Sequence, residues 1–300
     1  MIDLRENFRD YIVNFSVEES HSKELLCAMD TLLESGDFCA SLSSEIEAYR
    51  SFDFNFERFT EAAIKNAEAC KVDARRARFI YSASLANFAL PYYERVGLGY
   101  ENWKDSMFGL RWEADMTYSR QGTYGIASEW FKRFFIAERI AFGRLQYNRL
   151  EAGVEYKSEN FDLKPDTPVI TVHIPTDKRM PFSPENRLAS YKSASKFYSK
   201  YFDGGRVIFR CGTWLLNPLH KEILPESSNI RSFVDDFELV PSSYKKGQGD
   251  FWRIFGNISS DTAPENLPEE NSLQRAYKKH LMAGGEIGWI CGFRLGDMDA

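Results

Sequence analysis

Two side chains in the strand-like runs of this 300-residue chain stand out as able to move a proton or act as a nucleophile. His173 lies in Val169–Ile174, where it alternates with Val169 and Thr171, opposite Ile170, Val172 and Ile174. An imidazole suits general-base work near neutral pH. At a strand end it is also a common hydrogen-bonded structural group. Cys211 lies in Val207–Trp214. A thiol is a nucleophile once ionised, and otherwise a small buried hydrophobe. Arg144 and Gln146 alternate onto one strand face, where polar groups need partners, from either a bound molecule or a buried network. Trp214 ends the second strand and reads as core with part of its ring open to a pocket. Asn229 fits either a bound group or a turn. His220 could act as an acid or base near the site, but it follows a helix start and reads as a surface residue.

A charge feature accompanies them. Lys178 and Arg179 stand just before Ser183-Pro184-Glu185. That tripeptide signals a helix start: Ser183 as cap, Pro184 in the first turn and an acid beside it. A helix start is an anion site through its free amides and dipole, and the two basic side chains could add charge to a phosphate. Adjacent carboxylates occur at Asp235-Asp236 and Glu269-Glu270. Neighbours on a strand point to opposite faces, so these read as solvated charges rather than an acid–base pair.

The elements that must position these groups can be read from periodicity. The first 120 residues read as helices. Leu25, Met29, Leu32 and Leu33 share a face, with Gly36 as the stop; Phe56, Phe59, Ala63, Ala67 and Cys70 make a second stripe. Asp73 opens a further helix that Leu90-Pro91 should end, and an aromatic helix follows from Tyr100 to Tyr118. The pattern changes at Gly122-Thr123-Tyr124-Gly125. After a short helix around Trp130–Phe135, strands are expected over Arg139–Leu150, Val169–Ile174, Val207–Trp214, Val234–Val240, Phe251–Phe255 and Ile287–Phe293. The helix from Pro184 to Phe202 should bury Leu188, Tyr191, Ala194, Tyr198 and Tyr201. Tyr244–Asp250 reads as a loop or hairpin tip and Thr262–Asn271 as a loop, and a helix capped at Asn271 or Ser272 runs to Met282. The expected class is α+β: a helical domain over 1–120 and an α/β domain with a central mixed sheet over 121–300.

Composition limits the function classes. With 43% hydrophobic and 27% charged residues the chain is an ordinary globular protein, not a disordered one. Its net charge of −6 disfavours a phosphate-tracking nucleic-acid binder. Aromatic residues reach 15%, enough to build large apolar cores or pockets. Five scattered cysteines without a CxxC pair, and four histidines without metal-ligand spacing, point to no metal and to buried thiols in a reducing cytoplasm. The acidic N-terminus reads as no signal peptide, and no apolar run reaches membrane-spanning length. P-loop and GxSxG patterns are absent, and Gly97-Leu98-Gly99 is an incomplete GxGxxG in helical surroundings.

Longer strings carry a resemblance. Glu138 to Tyr147 (Glu-Arg-Ile-Ala-Phe-Gly-Arg-Leu-Gln-Tyr) resembles the "GRLQF/Y" strand of bacterial proteins that join an N-acyltransferase N-terminal domain to a GNAT-like C-terminal domain. Val172-His173-Ile174-Pro175 with Phe182-Ser183-Pro184-Glu185 is similar to that family's "HIP…L-[ST]-P-E" segment. Cys211-Gly212-Thr213-Trp214-Leu215-Leu216-Asn217-Pro218 is similar to its "SWLLDP" segment, and Leu224 to Ile230 with Phe233 to its "LLPxxSNIxxF". Gly122 to Ile126 with Trp130 resembles the lead-in. These segments come in family order within about residues 101–295.

The resemblance implies a GNAT-like fold using an acyl-CoA co-substrate. A strand (Val169–Ile174) feeds a loop (Thr176–Ser183) and a helix whose start receives the CoA pyrophosphate, and the next parallel strand splays to admit the pantetheine arm. On that basis Val172, Ile174, Pro175, Thr176, Lys178, Arg179 and Ser183 would bind the cofactor. His173 and Cys211 would be catalytic, and Arg144, Gln146, Trp214 and Asn229 would line the acceptor pocket. The expected reaction is direct transfer of an acyl group to an amine of a small molecule or peptide, in the cytoplasm, without nucleic acid, membrane or metal; an oligomer is compatible. Between Ile174 and Pro184 there is no glycine, so the acetyltransferase signature (Gln or Arg, two residues, Gly, one residue, Gly or Ala) is absent. Phosphate binding would then use a wider loop or the basic side chains. The same observation motivates the alternative of a catalytically inactive GNAT-like binding or regulatory module.

Overall fold

In the computed structural model of the chain, residues 2–176, 179–247 and 250–296 are described. They fall into two compact units, Met1–Ile140 and Ala141–Ala300.

The first unit contains seven helices and a short eighth: α1 (Leu4–Asn14), α2 (Glu19–Leu33), α3 (Gly36–Arg50), α4 (Phe56–Cys70), α5 (Ala74–Ala86), α6 (Leu90–Arg95), α7 (Tyr100–Gln121) and α8 (Lys132–Phe135). Four of them start where a short polar side chain can take up a free amide. Asp3, Ser35, Asn55 and Asp73 accept from the backbone N–H of Glu6, Phe38, Arg58 and Arg75. Gly36 is therefore not a stop: Ser35 caps α3 and Gly36 is its first residue. Likewise α5 ends at Ala86, and Pro91 sits in the first turn of α6, where its missing N–H costs nothing. The apolar faces meet in an aromatic core. Tyr11 stacks on Phe15 at 4.3 Å and Tyr49 on Tyr92 at 4.6 Å. The polar tips find carbonyls: Tyr93 donates to Phe134 O at 2.8 Å and Trp103 to Ala86 O at 3.0 Å. Gly125 is required by close approach. An added Cβ would stand 2.5 Å from the Arg75 carbonyl carbon, while Ile126 N–H donates to Arg75 O at 2.9 Å.

The second unit is built on a six-stranded mixed sheet. Its strands are β1 (Arg139–Phe142), β2 (Leu145–Glu151), β5 (Pro168–His173), β6 (Ile208–Thr213), β7 (Glu238–Lys246) and β8 (Gly288–Leu295), and β3 (Tyr156–Lys157) pairs with β4 (Asp162–Leu163) as a separate hairpin. The order across the sheet is β1-β2-β5-β6-β8-β7. β2–β5, β6–β8 and β7–β8 are antiparallel; β5–β6 is parallel, because the crossover helix α9 (Pro184–Tyr198) joins them. The chain is thus α+β with a mixed sheet.

α9 covers one sheet face. Tyr147 donates to Ser190 Oγ at 2.8 Å, Ser190 donates to Phe142 O, and Tyr191 packs 5.8 Å from Phe209. Its buried face carries Arg187, Ser190, Tyr191, Ala194, Ser195 and Tyr198, whereas Leu188 and Tyr201 are exposed. The opposite sheet face packs Val169, Val240 and Phe293 against Phe161 and Leu163. The short helices are α10 (His220–Ile223), α11 (Asn229–Phe233), α12 (Phe251–Phe255) and α13 (Ser272–Met282).

Three strand expectations change. Arg139–Leu150 is two strands broken at Gly143, whose φ is 62°. Val234–Asp236 is a 3-10 turn, and β7 begins at Glu238 and runs on to Lys246. Phe251–Phe255 is a helix: Phe251, Ile254 and Phe255 are buried at helical spacing, and its aromatic composition had mimicked a strand. No helix among the described residues is long and apolar enough to cross a membrane.

Candidate active site

The paired register between β5 and β6 covers Ile170 with Phe209 and Thr171 with Arg210. Beyond it the two strands keep their outer partners but not each other. Val172 and His173 still face Tyr147 and Gln146 of β2, and Cys211, Gly212 and Thr213 still face Gly292, Cys291 and Ile290 of β8. The paired register of the two parallel strands thus stops at Thr171 and Arg210, a place where an extended amide-bearing ligand can lie along the strands. Gly212 borders this gap, and Trp289 uses its missing side chain: an added Cβ would stand 2.3 Å from the indole Cζ2.

His173 stands at the end of β5, at the mouth of the gap. Its Nε2 lies 2.6 Å from Asn148 Oδ1. Asn148 is buried and donates its Nδ2 to Arg149 O at 2.9 Å, which fixes the amide orientation and aims Oδ1 at the ring. An amide oxygen only accepts, so Nε2 carries the hydrogen and the neutral ring is basic at Nδ1. Gln146, Asn148, Thr171 and His173 share one sheet face by register, and Gln146 is buried there. Sequence reading passed over Asn148, although it continues the alternation of Arg144 and Gln146.

The two described ends of the segment from β5 to α9 are fastened by side chains. Arg144, buried at the β1–β2 turn, donates to Pro175 O at 2.9 Å and lies 5.0 Å over the Phe182 ring. Asn186 Nδ2 donates to Pro181 O at 3.0 Å. Ser183 caps α9 as expected and accepts from Asn186 N at 3.4 Å. Val172 is buried, Ile174 and Pro175 are half-buried, and Thr176 and Arg179 are exposed. Lys178 lies outside the described residues. The first-turn amides of α9 are not all free: Pro184 has none, Asn186 is capped, and Glu185 turns its carboxylate to its own N–H. The Ser183 hydroxyl and that N–H hold the Glu185 carboxyl below its ordinary range.

Behind the loop lies a group that sequence reading missed. Arg187, in the first turns of α9, is fully buried and pairs with Asp236 through Nε–Oδ2 at 2.6 Å and Nη2–Oδ1 at 3.1 Å. It also donates to Phe182 O at 3.0 Å, Asn229 O at 3.3 Å and Ser232 Oγ at 3.3 Å. Tyr191 donates to the same carboxylate at 3.1 Å. Asp236 is thus an ion-pair partner rather than a solvated charge, whereas Asp235 is exposed beside Lys221. The legible signal was a charged residue at a core position of an amphipathic helix.

Of the remaining candidates, Cys211, Trp214 and His220 are buried and Asn229 is exposed. Cys211 is fully buried, and desolvation reinforced by Cys291 pushes its thiol well up, so the thiolate a nucleophile needs is disfavoured. Trp214 is buried in a cluster with Phe251, Ile254, Tyr277 and Leu281. Asn229 is the exposed first residue of α11, and its carbonyl serves Arg187. His220 is buried rather than on the surface: its Nδ1 donates to Leu215 O at 3.1 Å and its Nε2 accepts from Tyr277 at 2.6 Å. Desolvation lowers it to about 4. Among the described residues no cluster of His, Cys, Asp or Glu could hold a metal ion.

Solved structures with a similar fold include acyltransferases. The chain is similar to a crystal structure of an acyltransferase in complex with decanoyl-CoA and teicoplanin, with a TM-score of 0.70 and 19% identity over 96% of this chain and 87% of that one. It is similar to an acyltransferase mutant in complex with octanoyl-CoA, at 0.69 and 20% over 97% and 88%. A third, an acyltransferase in complex with decanoyl-CoA, gives 0.62 and 17% over 97% and 99%. At these identities the likeness establishes the fold. No curated protein matches the chain. Residues 140–294 match the GNAT-like C-terminal domain family, a span that takes in the parted strands, the fastened loop and α9. With more than half of its length matched, the chain belongs to the GNAT-like C-terminal domain family.

Proposed function

We propose that this protein is an acyl-CoA-dependent N-acyltransferase that moves an acyl group directly to an amine of a small molecule or peptide. The observation that carries the reading is the end of the β5–β6 ladder at Thr171 and Arg210, with the start of α9 following β5. Pantetheine has two amides and can lie along the strands where their register ends. The pyrophosphate would replace the Glu185 carboxylate at the first turn of α9, with Arg179 and Lys178 nearby in sequence to add charge. Arg144 serves the donor loop in this reading, since it already holds Pro175 and Phe182. The similar structures were solved with octanoyl- and decanoyl-CoA, which makes medium-chain donors the first to try. One of them also holds teicoplanin, which fits a peptide-sized amine acceptor.

In the reaction the amine nitrogen attacks the thioester carbonyl, the C–N bond forms, the C–S bond breaks and CoA leaves as thiolate. His173 takes the amine proton at Nδ1, with the ring held by Asn148, and returns it to the thiolate. The developing oxyanion would be met by a backbone N–H of the parted strands. Five free cysteines and an intracellular donor fit a cytoplasmic bacterial setting.

The test is a thermal-shift series with CoA, acetyl-, octanoyl- and decanoyl-CoA, followed by a CoA-release assay with amine acceptors. Ligand at 100 times its dissociation constant should stabilise by about 2.7 kcal/mol. His173→Ala should keep the shift and lose about 10²–10⁴-fold in kcat. Millimolar CoA species without any shift would overturn the reading; a shift without turnover would favour the inactive module.

A further inference from the structure

We propose that Arg187, held by Asp236, is the positioning residue of the donor site, doing with a side chain what a glycine-rich loop would do with backbone. The proposal rests on the acyl-CoA reading above. An arginine has five N–H donors, and Arg187 directs bonds to Asp236 Oδ2, Asp236 Oδ1, Ser232 Oγ, Phe182 O and Asn229 O, which accounts for all five. Its guanidinium lies 4.9 Å over Phe182 and 5.4 Å over Phe233, whose rings are themselves 5.0 Å apart. A side chain bonded in every direction has one position.

What that position fixes is the entrance to α9. Phe182 immediately precedes the cap Ser183, and its carbonyl and ring are both held by Arg187. The other end of the loop is held at Pro175 by Arg144, whose guanidinium packs on the same ring. The loop has no glycine, so its backbone cannot gain close approach to a phosphate by conformational freedom. What the two arginines place are its described ends, Pro175 and Phe182. The bidentate pair also sets the distance from α9 to the segment Asn229–Asp236, because a planar fork fits a carboxylate in one geometry.

A purely structural arginine would lower stability and weaken every ligand alike. A positioning role predicts a selective loss. Arg187→Lys keeps the charge but not the fork, and Asp236→Asn keeps the shape but not the charge. Both would be compared with the unaltered protein by melting temperature, CoA affinity, and kinetics with octanoyl-CoA and with S-octanoyl-pantetheine, which lacks the pyrophosphate. We expect CoA to bind at least tenfold more weakly to Arg187→Lys, with KM for octanoyl-CoA rising by the same factor. Kinetics with octanoyl-pantetheine should stay within twofold, and Asp236→Asn should fall between. Equal losses with both donors, or unchanged CoA affinity in folded variants, would overturn the proposal while leaving the enzyme reading intact. If the unaltered protein binds no CoA, the enzyme reading fails and this inference with it. Should Arg187→Lys fail to fold, the isosteric Asp236→Asn carries the comparison.

Discussion

Replacing Asn148 with alanine probes the catalytic reading at a residue that touches no reacting atom. In the structure Asn148 Oδ1 accepts from His173 Nε2 at 2.6 Å, and its own Nδ2 is spent on Arg149 O. Removing the side chain takes away the acceptor that sets the hydrogen on Nε2. A hydrogen bond of this kind contributes about 0.5–1.5 kcal/mol net, and an unsatisfied buried partner costs about 1–3 kcal/mol. At 1.36 kcal/mol per tenfold, kcat should fall by roughly 10- to 100-fold, with KM for the acyl donor nearly unchanged. The assay is CoA release at saturating donor and acceptor, with CoA affinity and melting temperature measured beside it. The decisive arm is the double-mutant cycle. If Asn148 acts only by orienting His173, then Asn148→Ala costs less than about twofold in a His173→Ala background. The same loss in both backgrounds, or a wild-type rate in a folded Asn148→Ala protein, would refute the assignment of His173 as an oriented base.

Two further outcomes follow from packing. His220 ordinarily titrates at 6.5 and is lowered to about 4 by burial, so the folded state stays neutral where the unfolded state takes a proton. Stability should therefore be unaffected above pH 6.5 and fall as pH drops toward 4, by a total of about 3 kcal/mol. Urea titrations across that range should show this slope, and His220→Gln should flatten it. Gly125→Ala places a methyl 2.5 Å from Arg75 backbone, which cannot swing aside, and should cost about 1–3 kcal/mol, read as a melting temperature several degrees lower.

The helical stripes, the Ser183 cap and the alternation in Val169–Ile174 follow from local rules, and each was readable because i+3/i+4 and i+2 spacing act within one element. Local rules also misread Phe251–Phe255, since aromatic content favours strands only where a sheet edge is at hand. Family strings carried the likeness to a GNAT-like chain, beyond what spacing alone could reach. Sequence brought His173 forward as a candidate base; register and a diagonal contact across β2 and β5 supplied its partner Asn148. It offered Cys211 as a nucleophile, and only three-dimensional burial disfavours the thiolate. It read Asp236 as solvated and did not single out Arg187, because they are 49 residues apart and meet only when α9 crosses the sheet. Composition, periodicity and capping thus determined which elements exist. Which edges part, which polar groups lose water and which charges are paired was decided by tertiary structure, since hydrogen-bond geometry and desolvation depend on neighbours far away in the chain.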